Sequence, residues 1–447
     1  MMLFDAFERL QARVEELEKK VSKSSHNSSK PPSSDGLKKG AAEPRQPGER
    51  PQGGQRGHKG ATRQMTDFPD HIIDLRPDRE ICDCGALVSA SAMYLIERRQ
   101  QIEIPEPRHE VTEFRQYGVQ CACGCLHAGD FPESVTPNVC YGPRLKSYAV
   151  GLVAGHFISV KRAGLLLRDQ YNIQPSAGSI QKWVLIASAR LEPAYAECQE
   201  AVSLALVAHF DESGVRVEGK LHWLHVAACK QAVYYTVHEK RGREAMIAAD
   251  ILPDFRGCAV HDHWKPYWGF DECIHALCNA HHLRELNYME ELTGHYWPIG
   301  LRKTLVEGKK AVAEAKQTGR ERLEPKVLEN LLGQYDRYLA SGLAVFPEKR
   351  RDTAQKGRIK QHEATNLLVR LRDYKTQVLR FLTDWQVPFD NNLAERMVRP
   401  VKVKLKVCGG FRAFGGSQAF CILRSVWETS RLKGDNPFDA IGAAFTG

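Results

Sequence analysis

Two apolar runs, each ending on an aspartate, constrain the fold of this chain more than any other feature. Leu204-Ala-Leu-Val-Ala-His-Phe210 leads into Asp211, and Cys258-Ala-Val-His261 leads into Asp262. Short apolar runs of this kind read as buried strands of a sheet. A third acid, Glu395, lies in the helical pattern Asp390-Asn-Asn-Leu-Ala-Glu-Arg396. Two carboxylates at strand ends and one on a later helix can converge on one point. Such a trio suits a pair of magnesium (or manganese) ions about 3.5–4 Å apart, which stabilise the attacking and leaving oxygens of a phosphodiester. Glu212 and Asp390 stand beside two of these acids as rival ligands.

The pattern around the aspartates predicts an α/β unit. Ala205 to Glu212, Val215 to Glu218, Leu221 to Cys229 and Ala232 to Glu239 read as successive antiparallel strands, with a hairpin turn at Glu218-Gly219-Lys220. Arg243 to Leu252 reads as a helix, and Gly257 to Asp262 and Cys273 to Cys278 as further strands. Consecutive strands, a crossover helix and then a central strand would set Asp211 beside Asp262, a ribonuclease H-like arrangement. From about residue 280 to 385 the pattern is helical and rich in Lys, Arg and Glu, as expected of an insertion that returns the chain to the sheet before Asp390. Cys278 and His281 begin it on one helical face, as a local contact that orients the insertion or as a zinc pair. His261, His282 and Arg284 are candidates for contact with a scissile phosphate.

At 447 residues the chain is long enough for several domains, and the fold class expected is multidomain α+β. No apolar segment resembles a signal peptide or spans a bilayer, so a cytoplasmic protein with no membrane partner is expected. An odd count of 13 cysteines without an export signal favours reduced thiols and metal ligation over a disulfide framework.

Residues 1–21 read as a coiled coil: Leu3, Phe7, Leu10, Val14, Leu17 and Val21 alternate steps of four and three, which favours a parallel homodimer or higher oligomer. The other reading is a single amphipathic helix lying on the body. Residues 22–66 are a basic, flexible linker without an aromatic residue, carrying nine Lys or Arg against three Asp or Glu from Ser22 to Met65. Residues 67–140 alternate in a β-like way at Ile72 to Leu75 and Glu110 to Val119. Within them Cys82, Cys84, Cys121 and Cys123 form two matched pairs that would hold one structural zinc, with Cys125 and His127 as substitutes. Residues 141–198 look wholly helical: a helix from Pro143 through Phe157, a second from Val160 to Gln170, and a third capped by Ser176 and running toward Ala196. The last two have the spacing of a helix-turn-helix, with Ser179, Gln181 and Lys182 facing DNA. Residues 199–447 form the remaining, catalytic domain. Nine Lys or Arg against one Glu between Arg396 and Lys433 place basic charge next to Glu395, as a polyanionic substrate requires. Arg396, Lys402, Lys404 and Lys406 are the candidates to hold DNA.

The ordered set of Ser29-Lys-Pro-Pro-Ser-Ser-Asp35, Gly53-Gly-Gln-Arg-Gly-His-Lys-Gly60, the paired cysteines, Asp211-Glu-Ser-Gly-Val-Arg-Val217, Lys220-Leu-His-Trp-Leu-His-Val226, Val260-His-Asp262, Cys278-x-x-His281 and Asn391-Asn-Leu-Ala-Glu-Arg396 resembles the DDE transposases of the insertion sequence sixty-six family, TnpC type, over nearly the whole chain. The resemblance implies DNA cleavage and strand transfer at transposon ends, with Asp211, Asp262 and Glu395 as the catalytic acids and DNA ends recognised by the N-terminal modules. It also implies accessory proteins from the same element and a bacterial, nucleoid-associated location. The chain departs from the family's commoner zinc knuckle by lacking one spacer residue in each cysteine pair. It also carries three lysines at 402, 404 and 406 where a less charged stretch is expected. A transposase-derived DNA-binding regulator and a purely hydrolytic metal-dependent nuclease are the alternative functions.

Overall fold

The computed structural model describes residues 63–446 apart from 77–80, 82, 84–86, 88–93, 136–138 and 350–358. The coiled coil expected over 1–21, nearly all of the linker, and Cys82 and Cys84 lie outside the described residues. The chain divides into two units, one over Lys38–Glu110 and one that includes Val111–Gly447.

In the first unit the described residues form neither a helix nor a strand. Thr66 and Gln100 exchange two hydrogen bonds, of 2.8 and 2.7 Å, and Ile81 forms a bridge with Leu87. Ile72, Ile73 and Leu75 are exposed, and the strand expected there does not form. Alternation makes a strand only where a second edge pairs with it. In the second unit the strand expected from Glu110 shrinks to β1 (Gly118–Gln120), which pairs antiparallel with β2 (Leu126–Ala128) around the turn that carries Cys121, Cys123 and Cys125.

Four helices follow: α1 (Pro143–Ala154), α2 (Val160–Tyr171), α3 (Ala177–Arg190) and α4 (Glu192–Ser203). Ser159 and Ser176 cap α2 and α3 by accepting from Arg162 N and Ser179 N, and Asn172 closes α2 in the left-handed region. The third helix stops at Arg190, short of the expected Ala196, because Pro193 has no N–H to continue the ladder and instead opens α4.

The sheet is built from β3 (Val207–Val217), β4 (Lys220–Ala228), β5 (Val233–His238), β6 (Cys258–His261) and β7 (Ile274–Leu277), in the order β5-β4-β3-β6-β7. The first three strands are antiparallel, and β6 and β7 run parallel to β3. The two strands expected at 205–212 and 215–218 are one, because Ser213 and Gly214 stay in register with Leu224 and Trp223. The β3–β4 hairpin turns on Glu218 and Gly219, both with positive φ, as a two-residue loop needs.

Both faces of the sheet are covered. One packs α4, α5 (Arg243–Ala248) and the residues around Phe255 and Tyr267 against Ala208, Phe210, Ala227 and Ala259. The other packs α11 (Asn392–Cys408) and α12 (Phe414–Lys433) against Val215, Leu224, Val226 and Tyr235. Between β7 and α11 lie α6 (Asn279–Thr293), α7 (Trp297–Gln317), α8 (Pro325–Val345), α9 (Glu363–Asp373) and α10 (Lys375–Thr383), which enclose their own core around Leu301, Tyr335 and Leu368. The helices α1 to α3 share a core with α12 and α13 (Pro437–Gly442), centred on Trp427, Leu423 and Ile180. The segment read as a separate helical module is therefore packed onto the C-terminal end of the chain.

Candidate active site

Sheet register sets the first two acids. In the parallel ladder His209 faces Val260, and Asp211 and Asp262 each lie two residues further along. They therefore lie side by side on adjacent strands, Asp262 just past the end of β6 and Asp211 not at a strand end, as expected, but midway along β3, which pairing with β4 carries on to Val217. Asp211 Oδ1 accepts from Glu212 N at 2.9 Å, and Asp262 Oδ1 accepts from Trp264 N at 2.8 Å. Burial pushes the Asp211 carboxyl well above its usual range, and the charges of Glu212, Asp262 and Glu395 push it further. Burial likewise raises Asp262. A buried carboxyl raised by the charges of neighbouring acids, as Asp211 is, is what a divalent cation would relieve.

Glu395 reaches this point through Asn391. The Asn391 side chain, fully buried, donates to Phe210 O at 2.8 Å and lies 2.9 Å from His209 Nδ1, while its backbone N–H donates to Cys278 Sγ at 3.1 Å. These bonds pin the start of α11 to β3 and to the end of β7. Glu395 N then donates to Asn391 O, so the carboxylate stands one turn further on. Its Oε1 lies 3.6 Å from Cys278 Sγ and 3.7 Å from His281 Nδ1.

Both rival acids are engaged elsewhere. Glu212 points to the other side of β3 from Asp211, is 3 % exposed, and receives Arg241 Nη2 at 2.7 Å and Tyr267 Oη at 2.8 Å. Asp390 accepts from Asn392 N at 3.2 Å and pairs with Lys309 at 3.7 Å. Arg241 was not visible as a site residue in the sequence. Its guanidinium lies 4.8 Å from the Trp223 ring and 4.0 Å from the Trp264 ring. Trp264 also holds Asp262, so the sandwich abuts the acids.

Two residues expected at a scissile phosphate are structural instead. His261 is fully buried, stacks on Tyr267 and lies 2.9 Å from His275 Nδ1 through its Nε2. His282 is buried and bonds through Nδ1 to Asn279 Oδ1 at 2.9 Å. Both lie where the strand and helix patterns make an inward position, so their chemistry serves the core. Arg284 is partly buried and donates to Ala280 O at 3.3 Å.

The basic residues divide by helix geometry. Lys402 follows Glu395 by seven residues, close to two turns, and Lys406 by eleven, close to three, so both lie on the Glu395 stripe. Arg399, not singled out in the sequence, completes this stripe. Half-burial lowers the Lys402 ammonium while the Asp211 charge opposes the shift, so the two groups sense each other. Lys404, nine residues on, falls on the opposite side of α11, and Arg396 is exposed beside the stripe. Arg424 leaves the basic surface altogether. It is 2 % exposed, lies over the Phe157 ring at 4.7 Å, donates to Gly155 O at 2.9 Å and pairs with Glu428. Gln181 and Lys182 are exposed on α3, and Ser179 Oγ is engaged by Ser176 Oγ at 2.9 Å.

Of the four cysteines expected to hold zinc, only Cys121 and Cys123 are described. The structure closes these two into a disulfide instead of leaving free thiolates, because the turn between β1 and β2 brings positions two apart face to face. Cys125 joins them: the three Sγ atoms lie within 4.8 Å of one another. Gly124, with φ of +88°, and the bond from Cys121 N to Cys125 O at 3.0 Å make the turn.

Residues 138–419, more than half of the chain, match the model of the transposase IS66 family. The chain belongs to this family. Residues 2–64 match a family of unknown function, DUF6444. No curated protein matches the chain. Membership in the IS66 transposase family carries a transposase role, action on DNA and the use of divalent metal. The donor set fits a hard cation: Asp211, Asp262 and Glu395 offer carboxylate oxygen, the ligand type preferred by magnesium and manganese. Among the described residues no helix is long and apolar enough to cross a membrane.

Proposed function

We propose that this protein cleaves DNA at the ends of an insertion sequence and transfers the freed strand to a target, using Asp211, Asp262 and Glu395 on a ribonuclease H-like core. The observation that carries the reading is the convergence of the three acids, which come from β3, from the end of β6 and from α11, with Lys402 beside them. The strand order β5-β4-β3-β6-β7, three antiparallel strands followed by two parallel ones, supports the ribonuclease H-like assignment.

In this reading Asp211, Asp262 and Glu395 would together hold the divalent metal. When bound, the metal supplies positive charge for the phosphate and a water of lowered pKa. The protein supplies placement. Trp264 N fixes Asp262, Asn391 fixes Glu395, and the packed sheet keeps bulk water from the acids. Lys402, Arg399 and Lys406 hold the phosphate backbone leading into the site, with Arg396 and Lys182 as further contacts. The N-terminal segments contribute DNA-end recognition and self-association. Proteins of the same element are expected partners.

Purified protein incubated with labelled terminal duplexes, plasmid target and magnesium or manganese tests the proposal. Joined product from the native chain, lost in Asp262→Asn while binding persists, is the expected result. Binding without cleavage points to a regulator, and cut ends without joined product to a nuclease; either outcome overturns the proposal.

A further inference from the structure

Two groups, Cys278 and His281, approach Glu395 Oε1 at the separations of ligands on a tetrahedral metal. With Zn–S near 2.3 Å and Zn–N or Zn–O near 2.0 Å, a tetrahedral ion sets its sulfur and oxygen ligands about 3.5 Å apart and its nitrogen and oxygen ligands about 3.3 Å apart. The corresponding separations are 3.6 Å from Cys278 Sγ to Glu395 Oε1 and 3.7 Å from His281 Nδ1 to the same oxygen. All three ligand atoms lie within 4.8 Å of one another. Ordinary hydrogen bonds do not account for the cluster. A thiol at 3.6 Å is a weak donor, and His281 Nδ1 is buried without any hydrogen-bond partner. Removing a buried nitrogen from water without a partner is costly, and a ligated cation offsets that cost.

Burial and the Glu395 charge push the Cys278 thiol up to about 12, and two features of the surroundings work against that rise. Asn391 N–H points at Cys278 Sγ from 3.1 Å, and Cys278 is the residue that precedes the first turn of α6, where helix N–H groups and the dipole favour negative charge. Cys278 and His281 are three residues apart on one face of that turn, so the helix itself fixes two of the ligands before Glu395 arrives from α11.

We propose that Cys278, His281 and Glu395 form a site for a borderline-soft divalent cation such as Zn2+, with its fourth position open. The mixed sulfur, nitrogen and oxygen donors select against Mg2+, which takes oxygen ligands in octahedral geometry. The inference deepens the metal-site reading above and shares one residue with it. A Zn2+ ion here takes Glu395 Oε1, so zinc occupancy competes with magnesium-supported strand chemistry and acts as a brake on it.

Cobalt(II) titration of the full chain, without DNA, tests this. The expected result is a thiolate charge-transfer absorption in the native protein, of which one equivalent disappears in both Cys278→Ser and His281→Gln and persists in Cys125→Ser. Zn2+ should compete for that equivalent, and each variant should weaken it more than about 100-fold, beyond the effect expected of a residue that only hydrogen-bonds to a ligand. Equal uptake by the native chain and both variants overturns the inference. Should Cys278→Ser fail to fold by circular dichroism, His281→Gln decides alone. Since binding is read without DNA, a negative result leaves the strand-transfer reading standing, and an inactive transposase that still binds cobalt leaves this one standing.

Discussion

The Asn391 side-chain amide donates to the Phe210 carbonyl at 2.8 Å, so the residue before α11 is fastened to the residue before Asp211. This bond crosses between elements 181 positions apart in sequence and sets the distance between two of the three acids. Asn391→Ala leaves the buried Phe210 carbonyl and His209 Nδ1 without partners. An unsatisfied buried group costs about 1–3 kcal/mol, so a loss of about 2–3 kcal/mol is expected, read as a lower denaturation midpoint. Strand cleavage should fall about 100-fold through misplacement of Glu395. A variant with native stability and native cleavage would show that Asn391 positions nothing.

Asp211→Asn should abolish strand chemistry yet stabilise the metal-free protein. The folded-state carboxyl is raised above its unfolded value, so between those two values the folded state binds the extra proton and stability falls as pH rises. At neutral pH the native acid is therefore a liability that Asn removes. The stability gap between variant and native chain should close on acidification toward the ordinary carboxylate range. Added Mg2+ should raise the melting temperature of the native chain and leave the variant unmoved. A variant less stable than the native chain at neutral pH without metal would contradict the repulsion among the acids.

How much of this was legible beforehand depends on which forces decide each feature. Asp262 could be read because a buried parallel strand announces itself as an apolar run and ends where its side chains meet water, whereas the apolar run before Asp211 marked its strand but not its end. The hairpin at Glu218 and Gly219 was legible because only a few residues tolerate positive φ. The continuity of β3 through Ser213 and Gly214 was not, since it is set by pairing with β4 and not by local pattern. Arg241 sits after β5 in a segment without periodicity, and its place between Trp223 and Trp264 exists only once three separate segments meet. His261 and His282 looked like site residues by type, but their positions in the strand and helix turn them inward. Lys404 looked equivalent to Lys402 and Lys406 until helix rotation separated them.

His225 should contribute to loss of stability in mild acid. It is buried on β4 with Nε2 unpartnered, and burial lowers its pKa to about 4. A depressed histidine stays neutral in the fold, so its stability contribution is complete above the unfolded value near 6.5 and is lost as pH falls toward 4. Between pH 7 and 5.5 this is worth about 1 kcal/mol at roughly 1.4 kcal/mol per pH unit. His225→Leu should flatten the stability-versus-pH curve by that amount over that window, measured by denaturant titration at fixed ionic strength. An unchanged slope would mean that His225 is not held neutral.

DNA affinity should separate the lysines of α11 by face. Lys402 and Lys406 share the Glu395 stripe with Arg399, whereas Lys404 lies half a turn away. Removing one cation that neutralises a phosphate reduces the slope of log affinity against log salt by about 0.9 on duplex DNA. Lys402→Ala, Arg399→Ala and Lys406→Ala should each show such a reduction, with the same weakening on terminal and unrelated sequences, since groups that bind phosphate do not read bases. Lys404→Ala should leave the slope nearly unchanged. Lys402→Ala should in addition lower strand cleavage at saturating DNA, because its ammonium is near enough to the Asp211 carboxylate to be shifted by it. Equal slopes for Lys402→Ala and Lys404→Ala in salt titrations by fluorescence anisotropy would remove the argument that DNA runs along this stripe into the acids.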